Sequence, residues 1–210
     1  MNYYFYKMEH DYGLAPNPFH GYCTLTVCKS QIRKSRRLEI GDWIIGAGSV
    51  ALNNLYTIIF AMQVEEKVLL KNYWSDPRFQ DKKPIINGSL VQMYGDNFYH
   101  FDIHNNKWIQ ENSAHSKIKG RTNSDHLKRD VSGENALISK KFYYFGENSI
   151  QIPDFFYTEM SKEKLRKLRN IKLLEENIGD NLITWMNQNY EVGIHGDPVN
   201  WKVHLSNKEI

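Results

Sequence analysis

The run "NLYTIIFAMQVEEKVLL", residues 54–70, constrains the fold more than any other stretch of the chain. Tyr56, Ile58, Phe60, Met62 and Val64 recur along it with period two, the spacing of one face of a β-strand. Other strand signals surround it. "NYYFYKM" (residues 2–8) is aromatic-rich and reads as a first strand. "YCTLTVCKSQIRKS" (22–35) begins as a strand, and its second half suits a short helix. "LEIGDWIIGAGS" (38–49) gives a Gly-Asp turn, a short apolar strand and a small-residue turn from Gly46 to Ser49. A strand pattern returns from Leu137 to Phe145. Helix formers dominate only after Ser161: "SKEKLRKLRNIKLLEEN" reads as one helix, broken at Gly179, with a second helix over 180–190 N-capped by Asp180. Strands first and helices last argue for an α+β fold rather than a doubly wound parallel sheet.

Between about Lys71 and Asn135 the chain is polar and irregular, which within a compact domain points to functional loops. Thirteen Tyr, ten Phe and five Trp supply rings for a core and for stacking on bases. The net charge of +3 is too small to imply a nucleic-acid partner unless the cations cluster. They do so once, in "KSQIRKSRR", where Lys29, Arg33, Lys34, Arg36 and Arg37 form the densest basic patch and a candidate phosphate contact. The N-terminus lacks the pattern of a secretory leader, and no apolar run is long enough to span a bilayer, so a cytoplasmic protein without a membrane partner is expected.

Cys23 and Cys28 fit no zinc spacing, and on a strand they would face opposite ways, so neither a metal site nor a local disulfide is expected. His100 and His104 flank Asp102, but in a strand-and-turn context they lie too far apart to share an ion unaided. His20, His115 and His126 stand isolated. A nucleophile reading uses Cys23 or Cys28 with a histidine and an acid; Asp11, His20 and Cys23 supply those types, with Asp96 or His100 assisting. No phosphate loop, nucleophile elbow or dinucleotide fingerprint is present, and no cofactor is implied.

The segments "DYGLAPNPFHGYCTLTVCKSQIRKS", "GDWIIGAGS", "YWSDPRFQDKKPIINGSLVQMYGDNFYH" and "LISKKFYYFG" resemble the nucleotide modification associated domain 2 family, from the N-terminus to about Pro153. That family accompanies bacterial and phage DNA base hypermodification. More distantly, the order of "YYFYKMEHD", the basic stretch, "GDWIIGAGS" and "YTIIFAMQVEE" is similar to EVE and ASCH domains of the PUA-like superfamily. The resemblance implies a small mixed β-barrel over residues 1–157 and a C-terminal helical extension over 158–210. It implies a pocket for a modified base lined by Glu9, Asp11, Lys29, Arg33, Gly48 and Ser49. On this reading Tyr12, Phe19 or Trp43 stacks on the base, Asp11, Asn17 and Ser49 pair with its edge, and Lys29, Arg33, Arg36 and Arg37 take phosphate. The partner is a modified nucleotide or DNA, in a modification or phage-defence setting. The alternatives are a modifying enzyme built on Asp11, His20 and Cys23, and an interaction module that docks a protein on the C-terminal helices.

Overall fold

The computed structural model describes residues 1–202. In chain order its elements are β1 (Tyr3–Lys7), β2 (Cys23–Leu25), α1 (Ser30–Arg33), β3 (Trp43–Ala47), β4 (Thr57–Gln63), β5 (Glu66–Leu69), α2 (Leu70–Tyr73) and α3 (Leu90–Met93). There follow β6 (Tyr99–Asp102), β7 (Lys107–Gln110), α4 (Ser124–Val131), β8 (Asn135–Ser139), β9 (Phe142–Tyr144), β10 (Ile150–Gln151), α5 (Lys162–Lys167), β11 (Lys172–Leu173), α6 (Glu176–Asn189) and β12 (Gly193–Ile194). The fold is mixed α+β. The described residues pack as two compact units, one built from 1–12, 39–64 and 140–202, the other from 13–38 and 65–139.

The first unit is a seven-stranded sheet in the order β11-β1-β3-β4-β9-β12, with β10 added along β4. β1 and β3 are parallel, so the chain needs a crossover between them, and β9 and β12 are parallel too, whereas β4 runs antiparallel to both β3 and β9. The path of pairing is open: β11 and β12 end it and do not pair with each other, so the described strands form no closed barrel. Two-residue strands at both ends leave too few ladder bonds to curl the sheet shut. Ile58, Ile59, Phe60, Ala61 and Met62 in β4 are all fully buried, because this strand is central and covered on both faces. The period-two pattern of 54–70 thus separates two buried faces rather than core from solvent. The run is also not one strand: beyond Val64 it crosses into the second unit as β5 and α2.

One face of that sheet carries Tyr3, Phe5, Trp43, Ile45, Ile58 and Tyr143, packed against Phe156, Leu165 of α5, and Ile178, Leu182, Ile183 and Met186 of α6. Ile178, Leu182 and Met186 follow the i, i+4, i+8 spacing of a single apolar face, and Ile183 widens it. The segment after residue 157 is therefore part of the first unit's core. The helix expected over 161–177 stops at α5, because Leu168 turns extended (φ −59°, ψ 124°) and the chain pairs with β1 as β11. Gly179 does not break α6. The helix runs through it because a Cβ there would sit 2.1 Å from the Tyr3 ring, so the glycine permits close helix–sheet approach. Asp180 does not cap that helix; it accepts the Tyr3 hydroxyl. Gly179→Ala should destabilise the protein by about 1–3 kcal/mol through overpacking, read as a lower urea midpoint with an unchanged slope.

The second unit holds the antiparallel sheet β2-β8-β5, the hairpin β6-β7 and α4. Tyr73 and Phe79 stack at 4.5 Å in its core beside Leu70, Ala136 and Ile138. The irregular middle of the sequence is thus this unit's body, built from short elements that leave no long period to read.

Candidate functional site

Two constellations are chemically informative, one in each unit. In the first unit, a cleft of about 1050 Å³ is lined by Lys7 and Glu9 at the end of β1, by Ser49, Val50 and Ala51 after β3, and by Glu163, Arg166, Lys167, Leu168 and Arg169 from α5 and its exit. β1 and β3 are paired in register from Tyr3 with Trp43 to Lys7 with Ala47, which sets their two exits side by side. Glu9 and Ser49, expected at a pocket from the resemblance, are brought together here; Arg166, Lys167 and Arg169 were not foreseen. Lys167 is paired with Glu163 at 2.6 Å, whereas Arg166 and Arg169 have no carboxylate partner among the described residues. Lys7 gives its ammonium to the Arg166 carbonyl, and burial together with the nearby Arg169 lowers its pKa. Four cations against two carboxylates make the cleft a place where an anion relieves like-charge repulsion.

The remaining expected residues of this unit are structural. Asp11 is buried; its carboxylate accepts the Tyr144 hydroxyl and the Val199 N–H, tying down the segment before Trp201. Trp43 is 1% exposed and stacks on Tyr143 in the core, so it presents no face to a base. A Cβ at Gly48 would lie 2.0 Å from the Asn54 carbonyl, so its smallness serves the chain's own turn. Tyr12 is half-buried, stacks on His10 and accepts the Trp201 indole N–H through its carbonyl.

In the second unit, the loop before β2 is anchored from beneath. Lys82, fully buried, donates to the Asn17 carbonyl (3.0 Å), the Asn17 side-chain oxygen (2.6 Å) and the Tyr22 carbonyl (2.9 Å). Burial pushes its pKa down to about 8 although Asp96 partly restores it. Asp96, also buried, accepts Thr24 at 2.7 Å and Tyr73 at 2.9 Å. Asn17 therefore holds the loop in place rather than addressing a base. Cys23 is fully buried, which raises its thiol pKa far above the ordinary range, so it is not a nucleophile. His20 is exposed and Phe19 half-buried on the same loop. His100 pairs with Glu111 at 2.8 Å and stacks on Trp74 at the β6-β7 hairpin. Of the basic patch, Lys29 is half-exposed and Arg36 and Arg37 are exposed. Arg33 is fully buried: it donates to the carbonyls of Cys28 (2.8 Å), Asn135 (3.0 Å) and Asp130, and so holds no phosphate.

Arg33 points instead to a centre that sequence spacing did not show. The Cys28 Sγ lies 3.9 Å from His115 Nε2, and His115 Nδ1 lies 2.7 Å from Asp130 Oδ2. Asp130 also accepts the Cys28 N–H at 3.0 Å, the Tyr99 hydroxyl at 3.0 Å and Arg129 Nε at 3.2 Å. Cys28 adopts φ 55° and Lys29 φ 36°, a left-handed turn that brings the Cys28 amide onto Asp130. Burial raises the Asp130 carboxyl, but the hydrogen bond and charge of His115, the Arg129 guanidinium and the Cys28 N–H together outweigh it and hold the group at about 2. Burial likewise opposes charge on His115, and the bonds to Asp130 and Cys28 reverse this, raising the imidazole to about 9. The three ligand-type atoms lie within 4.8 Å of one another. Yet sulfur and carboxylate engage opposite ring nitrogens, which is the order of nucleophile, base and orienting acid rather than of three ligands converging on one ion.

No helix among the described residues is long and apolar enough to cross a membrane. Comparison with curated proteins and with solved structures gives no match. A family model described as nucleotide modification associated domain 2 matches residues 1–205, through the C-terminal helices, and the chain belongs to that family.

Proposed function

We propose that this protein binds a modified nucleotide, free or within DNA, with its phosphate in the cleft between β1, the turn after β3, and α5. The carrying observation is the convergence of Lys7, Arg166, Lys167 and Arg169 on a cleft that also holds Glu9 and Ser49. Family membership supplies the nucleotide, and the unpaired arginines supply a reason for an anion. Arg166 and Arg169 grip phosphate, Glu9 accepts from a sugar hydroxyl or a base amine, and Val50 and Leu168 cover the apolar face. The function of EVE-like domains in holding a modified base is consistent with the positions of Glu9 and Ser49. A setting in DNA hypermodification or phage defence, within the cytoplasm, follows from the same reading. A target base in duplex DNA must be flipped out, at a cost of a few kcal/mol.

Fluorescence anisotropy with modified and unmodified single-stranded oligonucleotides over a salt series tests this. Three or four phosphate contacts give a slope of log K against log salt of about −2 to −3. Tighter binding of one modified oligonucleotide is expected, together with a nucleotide in the mass spectrum of small molecules that co-purify. Salt-independent binding with no preference would overturn the reading.

A further inference from the structure

The Cys28, His115 and Asp130 constellation has no part in the cleft, and its geometry is a catalytic one. We propose that Cys28 is a nucleophile served by His115 and positioned by Asp130, and that this centre cleaves an activated carbonyl compound, an ester or amide, through a thioester on Cys28. The inference stands apart from nucleotide binding: either can fail without the other.

Four observations carry it. The sulfur faces Nε2 while Nδ1 is held by a carboxylate, so the ring is fixed in the one orientation that presents a nitrogen to the thiol. Asp130 is in turn fixed by the Cys28 N–H, Tyr99 and Arg129, and Tyr99 is held by Gln110 Nε2 at 3.1 Å. Arg33 joins the backbone on both sides, binding the carbonyls of Cys28 and Asp130. Finally, Cys28 is half-exposed while Cys23 is sealed in the core, so of the two cysteines only Cys28 meets solvent. A structural cysteine needs none of this apparatus. With Asp130 anionic, the imidazole carries a proton at neutral pH and places its charge beside the Cys28 sulfur.

The step balances with water as the only co-reactant. The Cys28 thiolate adds to the carbonyl carbon, forming the C–S bond and placing the π electrons on oxygen. Collapse of the tetrahedral adduct breaks the bond to the leaving alcohol or amine, which takes the proton from His115 Nε2. Neutral His115 then deprotonates a water that attacks the thioester; C–S breaks, the carboxylic acid departs, and thiolate and imidazolium are restored.

The test uses the full chain and two probes, iodoacetamide and p-nitrophenyl acetate, with site occupancy read by peptide mass spectrometry. At pH 6.5, Cys28 should alkylate about tenfold faster than free cysteine. p-Nitrophenyl acetate should leave an acetyl group on Cys28 that hydroxylamine removes. His115→Gln should cut the alkylation rate about tenfold at pH 6.5 and far less at pH 9, where any thiol ionises. Asp130→Asn, at a positioning residue, should shift the pH profile of alkylation towards that of free cysteine, a readout that simple loosening of the fold does not move. Alkylation of wild-type Cys28 at or below the rate of free cysteine overturns the proposal, and that comparison needs no variant to fold. So does a stoichiometric zinc ion in the purified protein that shields Cys28 until a chelator removes it, since the cluster is then a metal site.

Discussion

Arg33→Met should destabilise the second unit by about 3–5 kcal/mol, most of the margin by which a domain of this size is stable. The guanidinium is fully buried and satisfies the carbonyls of Cys28, Asn135 and Asp130, which methionine fills sterically but leaves without donors. Gly133 accommodates the group, since a Cβ there would lie 2.3 Å from the Arg33 Cζ. The expected readout is faster amide hydrogen exchange through α4 and β8, together with a lower urea midpoint. Had Arg33 served as a phosphate ligand, the same variant would weaken oligonucleotide binding and leave exchange untouched. Lys34→Met, at the exposed residue that caps the same short helix, is the control and should change stability by less than about 0.5 kcal/mol.

The second large effect is one of pH. The imidazole of His115 is raised from 6.5 to about 9, so its contribution to stability is complete below pH 6.5 and is lost as the pH climbs through 9. Asp130, held at about 2, contributes at every pH above the ordinary carboxylate range and loses its effect only as the pH falls towards 2. The groups facing this pair are the Cys28 sulfur, the Tyr99 hydroxyl, Arg129 Nε and the His126 ring, which meets His115 edge-on at 4.5 Å. Burial lowers His126 and His20, so their effects fall below pH 6.5. Lys82, lowered to about 8, acts in the opposite sense above pH 8. Between pH 6.5 and 8 His115 therefore dominates, and exchange-derived stability of α4 should fall by about 2 kcal/mol. Asp130→Asn should flatten that dependence, and a flat wild-type profile would contradict the ion pair.

Much of the fold was legible in the sequence, because strands rich in aromatic and β-branched residues announce themselves locally. β1, β3, β4 and α1 lie where the pattern placed them. What failed was inference about partners. Period two in 54–70 could not reveal that β4 is buried on both faces or that the chain changes unit after Val64. Gly179 looked like a helix breaker because only the Tyr3 ring explains it. Arg33 belonged to the densest basic run, and nothing local shows that this one cation of five turns inward. The cleft was half visible: Glu9 and Ser49 came through resemblance, while Arg166 and Arg169 sit in a segment that read only as helix. Cys28 was one of two candidate thiols, but His115 is 87 residues away from it and Asp130 a further 15. A spacing that long carries no motif. The available signal was a weak one, a half-polar cysteine followed by a short helix, and only folding brings the acid and the base to it.

The salt dependence of oligonucleotide binding in Arg166→Glu/Arg169→Glu decides whether the cleft holds a nucleotide's phosphate. Both side chains are exposed, so the variant should fold normally. Affinity should be at least about tenfold weaker at low salt, and the salt slope shallower by about one for each phosphate contact removed. Unchanged affinity with an unchanged slope, in a variant whose hydrogen exchange matches the wild type, would contradict it.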